Sequence, residues 1–131
     1  MPKFVSIYQF ANKKAVEWSK RDEEFVKRAG FALMAWLAFK DKEVKDEEFE
    51  VFFPIIKSES NDERILVKKA VNWALRQIGK RNIKLNVKVI ETAKEIQKIE
   101  AKSAKWIAHD AIKELTSDPV QKRLKERHKQ F

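Results

Sequence analysis

Apolar positions recur every three or four residues along almost the whole chain, and turn-forming residues cut the pattern into about seven helical segments. The first runs from about Ile7 to Trp18. Ser19, with Asp22 three residues on, reads as the N-cap of a second that extends to about Phe39 and aligns Phe25, Ala29, Ala32, Leu33 and Trp36 on one face. The third spans about Asp46 to Lys57, where Pro54 predicts a bend or an end, because proline has no N–H to donate and crowds the preceding turn. Ser60 followed by Glu63 predicts a capping box for the fourth, which stops at Gly79 in the usual C-terminal glycine position. A fifth covers about Lys84 to Ile99 and a sixth Lys102 to Leu115. Asp118 then Pro119 reads as N-cap and first helical residue of a last helix, with Val120, Leu124 and Phe131 on its apolar side.

Self-comparison changes the picture from a row of helices to a repeat. Phe25-Val26-Lys27-Arg28-Ala29 recurs as Leu66-Val67-Lys68-Lys69-Ala70 at an offset of 41, and Val67-Lys68 with Ala74 recurs as Ala104-Lys105 with Ala111 at an offset of 37. A period near 40 with two helices per unit predicts an all-α, HEAT-like α-α superhelix: a short solenoid of about three helix pairs plus a C-terminal helix. In such a stack each pair buries its apolar face only against the next. The expected repeats cover about residues 5–40, 44–80 and 83–116 of a single domain, 1–131, with residues 118–131 capping the open end. An ordinary helical bundle is the alternative.

Composition narrows the function. With 131 residues, 44% of them apolar, there is enough for one core. The two glycines, Gly30 and Gly79, are too far apart for a phosphate-cradling loop or a dinucleotide fingerprint. No cysteine and two isolated histidines, His109 and His128, argue against disulfides, thiol catalysis and metal sites, so no cofactor or metal is expected. No leader-like segment stands at the N-terminus, and the longest apolar run, Ala29 to Phe39, falls short of the ~20 residues of a membrane span; a soluble, cytoplasmic chain is expected. The net charge of +9 is lopsided, with net −1 over residues 1–65 and net +10 over residues 66–131, which predicts a polyanionic partner.

The candidate chemistry lies on one stripe of the repeated helices, followed at steps of four, three and four residues. It reads Arg28, Ala32, Ala35, Phe39 in the second helix, Lys69, Trp73, Arg76, Lys80 in the fourth, and Trp106, Asp110, Lys113, Ser117 in the sixth. Stacking sets these side by side on the wall that the second helix of each pair lines. Unpaired buried charges cost several kcal/mol, so this face is expected to be wet or to meet an anion. Lys27, Lys68 and Lys105 form a second basic column at its edge. Basic columns of this kind can follow a phosphate backbone and a tryptophan among them can stack on a base, although Trp73 could instead cover the joint between repeats. Trp36 and Trp106 read as core, Asp110 as the partner of Lys113 or Arg76, and His109 as structural or solvent-facing. No nucleophile triad or paired-acid site can be assembled.

Glu17-Trp18-Ser19, the run Glu24 to Leu33, the run Val67 to Asn82, and Ala104 to Ala108 resemble the DNA alkylation repair enzyme family, HEAT-like-repeat glycosylases that excise alkylated purines. The resemblance covers nearly the whole chain and implies double-stranded DNA, with or without alkylated bases, as the partner. It implies that Arg28 holds backbone at the lesion and that Trp73 lines the lesion cleft. With the stripe, it gives Arg28, Lys68, Lys69, Trp73, Arg76, Lys80, Arg81, Lys105 and Lys113 as the DNA-facing set. The family's Trp and Asp motif would fall upstream of the Glu17 segment, so no catalytic residue is assigned here; Trp18 and Asp22 share its spacing, but Asp22 reads as first-turn helix stabilisation. The expectation is a DNA-binding relative of the glycosylases; that a second copy or another chain supplies further N-terminal repeats is a separate, third reading. A protein-interaction scaffold gripping an acidic partner is the alternative.

Overall fold

A computed structural model describes residues 7–40 and 42–129, and every regular element among them is helical. In chain order these are α1 Ile7–Ser19, α2 Glu24–Lys40, α3 Asp46–Glu50, α4 Phe52–Glu59, α5 Ile65–Gly79, α6 Ile83–Ile96, α7 Lys102–Leu115 and α8 Asp118–Lys129. Helices α2, α5 and α7 lie side by side in one layer, α1, α4 and α6 in the other, and α8 packs on α6 and α7. The result is an all-α helical repeat. Phe31, Met34 and Leu37 of α2, Leu75 and Ile78 of α5, and Ile107 and Leu115 of α7 are buried against Phe52, Ile56, Leu85 and Ile96 of the other layer in one continuous cluster. Each such side chain stabilises the fold by roughly 1.5–3 kcal/mol. Val120 and Leu124 dock α8, while Phe131, expected beside them, lies outside the described residues.

The segment expected as one helix from Asp46 is two, broken at Val51. Pro54 cannot donate to the Glu50 carbonyl and its ring crowds that group, so the chain restarts with Pro54 in the first turn of α4, where an N–H has no intrahelical partner.

Three expected caps are corrected. Ser19 ends α1, its hydroxyl donating to the Val16 carbonyl at 3.0 Å, and α2 starts at Glu24, which leaves Asp22 in the connecting turn. Ser60 closes α4, with its hydroxyl on the Ile56 carbonyl at 2.6 Å. Glu63 instead accepts the Ser103 backbone N–H at 2.8 Å, tying the segment ahead of α5 to the head of α7. Gly79 has no positive φ; it is small because a β-carbon there would lie 2.6 Å from Leu115 Cδ1 and 3.1 Å from Val89 Cγ1.

Buried amides join successive repeats. Asn72 Nδ2 donates to the Ile107 carbonyl at 3.2 Å, and Asn86 Nδ2 to the Gly79 carbonyl at 2.9 Å, while Asn86 Oδ1 accepts from Gln121 Nε2 at 3.2 Å. Lys27, expected in the exposed basic column, is only 6% exposed. Its ammonium donates to Glu59 Oε1 at 2.5 Å and Asp62 Oδ2 at 3.2 Å. Burial alone would pull Lys27 down, but the two carboxylates outweigh it and hold the ammonium above its ordinary value.

The Asp62 carboxyl is lowered from 3.8 to about 2, first by the Arg64 guanidinium and then by the Arg64 backbone N–H and Lys27, against the opposing effect of burial. A carboxyl whose pKa falls on folding stabilises the fold above its unfolded value and loses that contribution as pH drops through the folded one. The shift corresponds to about 2 kcal/mol, present above pH 4 and gone near pH 2. Thermal melts should therefore fall steeply between pH 4 and pH 2; Asp62→Asn should melt lower at pH 7 and show a shallower acid decline. Parallel acid declines in the two proteins would reject the assignment.

Candidate functional site

Side-chain contacts step along α5 and α7 together. Lys68 Nζ sits over the Trp106 ring at 5.2 Å, Asn72 meets Ile107, and Arg76 Nη1 donates to Glu114 Oε1 at 2.8 Å. The two helices thus run parallel at an offset of 35–38 residues, in line with the sequence repeat of 37. Helices α2 and α5 are tied at both ends, through Lys27 to Asp62 and through Arg81 to the Ala38 carbonyl at 3.2 Å. Equivalent positions of the three helices therefore face the same way.

On this α2/α5/α7 face Arg28, Lys69 and Lys113 are exposed and make no ion pair or hydrogen bond among the described residues. Trp36, Trp73 and Trp106 are each 39% exposed, so the expectation that Trp36 and Trp106 belong to the core is corrected, and Trp73 is not sealed into a joint. Phe25 and Phe39 of α2 and Ile65 and Leu66 of α5 are exposed beside them. A helix that is apolar almost all round cannot bury every face in a two-layer stack, and the run from Ala29 to Phe39 carried that signal.

Other cations of the stripe are engaged. Glu114 takes Arg76 through Oε1 and Lys80 through Oε2 at 2.6 Å, and Asp110 lies 3.8 Å from Arg76 Nε, the second of its two expected partners. Burial would raise the Glu114 carboxyl, but the hydrogen bonds from Lys80 and Arg76 prevail and hold it below the ordinary carboxylate value. Glu114 lies 38 residues after Arg76, one repeat away, which is the sequence feature that could have found it. Arg81 turns from the face: its guanidinium donates to the Ala38 carbonyl and, at 2.6 Å, to the Val44 carbonyl, and stacks 4.6 Å from the Phe49 ring centroid. Lys105 donates to the Gln97 carbonyl at 3.1 Å, and Lys68 covers Trp106. His109 is solvent-facing.

The face carries exposed aromatic rings and unpaired cations. Rings offer stacking and cation–π faces, while Arg28, Lys69 and Lys113 have their charges open to an anion. No helix among the described residues is long and apolar enough to cross a membrane. A family model described as DNA alkylation repair enzyme matches residues 2–115. No curated protein and no solved structure matches the chain.

Proposed function

The chain belongs to the DNA alkylation repair enzyme family, and on that premise we propose that its α2/α5/α7 face is the duplex-DNA-binding wall of a HEAT-like stack. What supports this reading is that unpaired Arg28, Lys69 and Lys113 share one face with three half-exposed tryptophans, on helices held in register. The cations meet backbone phosphates and release their counterions. Trp73 offers its ring to an unstacked base, and a purine alkylated on a ring nitrogen carries the positive charge that a tryptophan face attracts.

Binding, rather than excision, is the activity proposed for this chain. Breaking a glycosidic bond needs a carboxylate beside the developing cationic sugar. The one carboxylate of the stripe, Asp110, faces the Arg76 guanidinium at 3.8 Å. The exposed Phe25, Ile65 and Leu66 favour a second reading, a groove for an amphipathic helix of an acidic protein.

Titrating duplex DNA into the chain at low salt should quench tryptophan fluorescence saturably. Trp73→Ala should weaken binding by about tenfold, since stacking on one base is worth about 1–3 kcal/mol. Its loss should be larger on DNA carrying methylated purines. Absence of saturable quenching by duplex, with quenching by an acidic amphipathic peptide, would replace the DNA reading by the scaffold reading.

A further inference from the structure

We propose that a cavity at one end of the tryptophan face, which Phe39 and Lys80 adjoin, is a binding site for a chain of phosphate groups. It has a volume of about 770 Å³ and lies where the ends of α2 and α5, the α2–α3 connection and α8 converge. That size accommodates a nucleotide or several linked phosphates. Lys42 and Lys45 enter it from the α2–α3 connection and Arg123 and Arg127 from α8, with the exposed ring of Phe39 at its edge.

The charge balance identifies the ligand class. The side chains of Lys42, Lys45 and Arg123 make no ion pair or hydrogen bond among the described residues. Arg127 Nη1 donates to the backbone carbonyls of Lys80 and Arg81 at 3.1 and 3.3 Å, which fixes its guanidinium without offsetting its charge. Lys80 also lines the cavity but is compensated by Glu114. Among the described residues the only carboxylate lining it is Asp46, and Oδ1 of that group already accepts from Asn82 Nδ2 at 2.9 Å.

Four positive charges converging on one space repel one another, and a multiply charged anion is their electrostatic complement. Two guanidiniums favour the forked hydrogen bonds that phosphate oxygens accept. Phe39 adds a stacking surface for a base attached to those phosphates. The phosphate chain belongs either to a nucleic-acid strand leaving the tryptophan face or to a free nucleotide or polyphosphate.

Calorimetric titration with sodium tripolyphosphate tests the site, comparing the full chain with Lys42→Gln/Lys45→Gln/Arg123→Gln, whose exposed, unpaired side chains can change without disturbing the fold. One saturable site per chain, weakened about tenfold or more in the triple variant, is expected. No saturable binding to the full chain, or equal binding to both proteins, would overturn the proposal. This arm is independent of the duplex reading and decides even where no duplex binds. A second arm identifies the source where the first succeeds. Weaker duplex binding by the variant, with a salt slope smaller by about three, assigns the phosphates to a nucleic-acid strand. Unchanged duplex binding assigns them to a free phosphate ligand.

Discussion

Replacing Arg28, Lys69 and Lys113 together by glutamine is expected to weaken duplex-DNA binding by about 100-fold near physiological salt, with little change in melting temperature. Three phosphate contacts at about 1 kcal/mol each give that factor. The dependence of log affinity on log salt should flatten by about three, close to 0.9 per phosphate released. All three side chains are exposed and unpaired, so their removal takes away charge without stranding a partner. Arg76→Gln should behave oppositely. Arg76 donates to Asn72 Oδ1 at 2.7 Å as well as to Glu114, so its loss should cost stability and barely move the salt slope. Salt titrations by fluorescence anisotropy, with melts run in parallel, separate the two patterns. A triple variant that retains the full salt slope would remove these residues from the interface.

The largest effect on stability is expected at Gly30. A β-carbon there would collide with the Ser19 backbone nitrogen and lie 2.8 Å from Ser19 Cα and 2.9 Å from the Trp18 carbonyl carbon. These are main-chain atoms at the end of α1, so they cannot move aside as a side chain would; α1 as a whole must lift from α2. Gly30→Ala should cost about 3 kcal/mol, the upper part of the range for overpacking, and lower the melting temperature by roughly 10 °C. Gly79→Ala meets the Leu115 and Val89 side chains, which have rotamers to change, and should cost less. Circular-dichroism melts of the two variants rank the sites, and an unperturbed Gly30→Ala protein would contradict the close crossing of α1 and α2.

The helix order and the two-layer repeat were legible because amphipathic periodicity and the offsets of 41 and 37 are properties of the chain itself. Caps were less legible. Ser60 and Glu63 have capping-box spacing, yet neither caps α5: the Ser60 hydroxyl closes the helix behind it and Glu63 reaches across to α7. A serine's hydroxyl serves a preceding carbonyl as readily as a following N–H. The site shows the same division. Spacing aligned Arg28, Lys69 and Arg76 on one stripe, but whether a cation is free depends on acids that arrive from a neighbouring helix, as Glu114 does for Arg76 and Lys80. Tryptophan exposure was misjudged for a related reason. A large apolar side chain is ordinarily buried, and although the run from Ala29 to Phe39 showed more apolar surface than one helix face can bury, which of its rings stay exposed is set by the packed stack.

The asparagines at the joints make the stack a ruler. Sliding α7 past α5 by one turn would preserve most apolar contacts, since leucine, isoleucine and alanine are nearly interchangeable, but it would strand the Asn72 amide without the Ile107 carbonyl. A similar slip at the next joint would part Asn86 from Gln121. Graduations fixed in this way hold Trp73 of α5 and Trp106 of α7 in one register, so the spacing between those two rings is set within the protein itself.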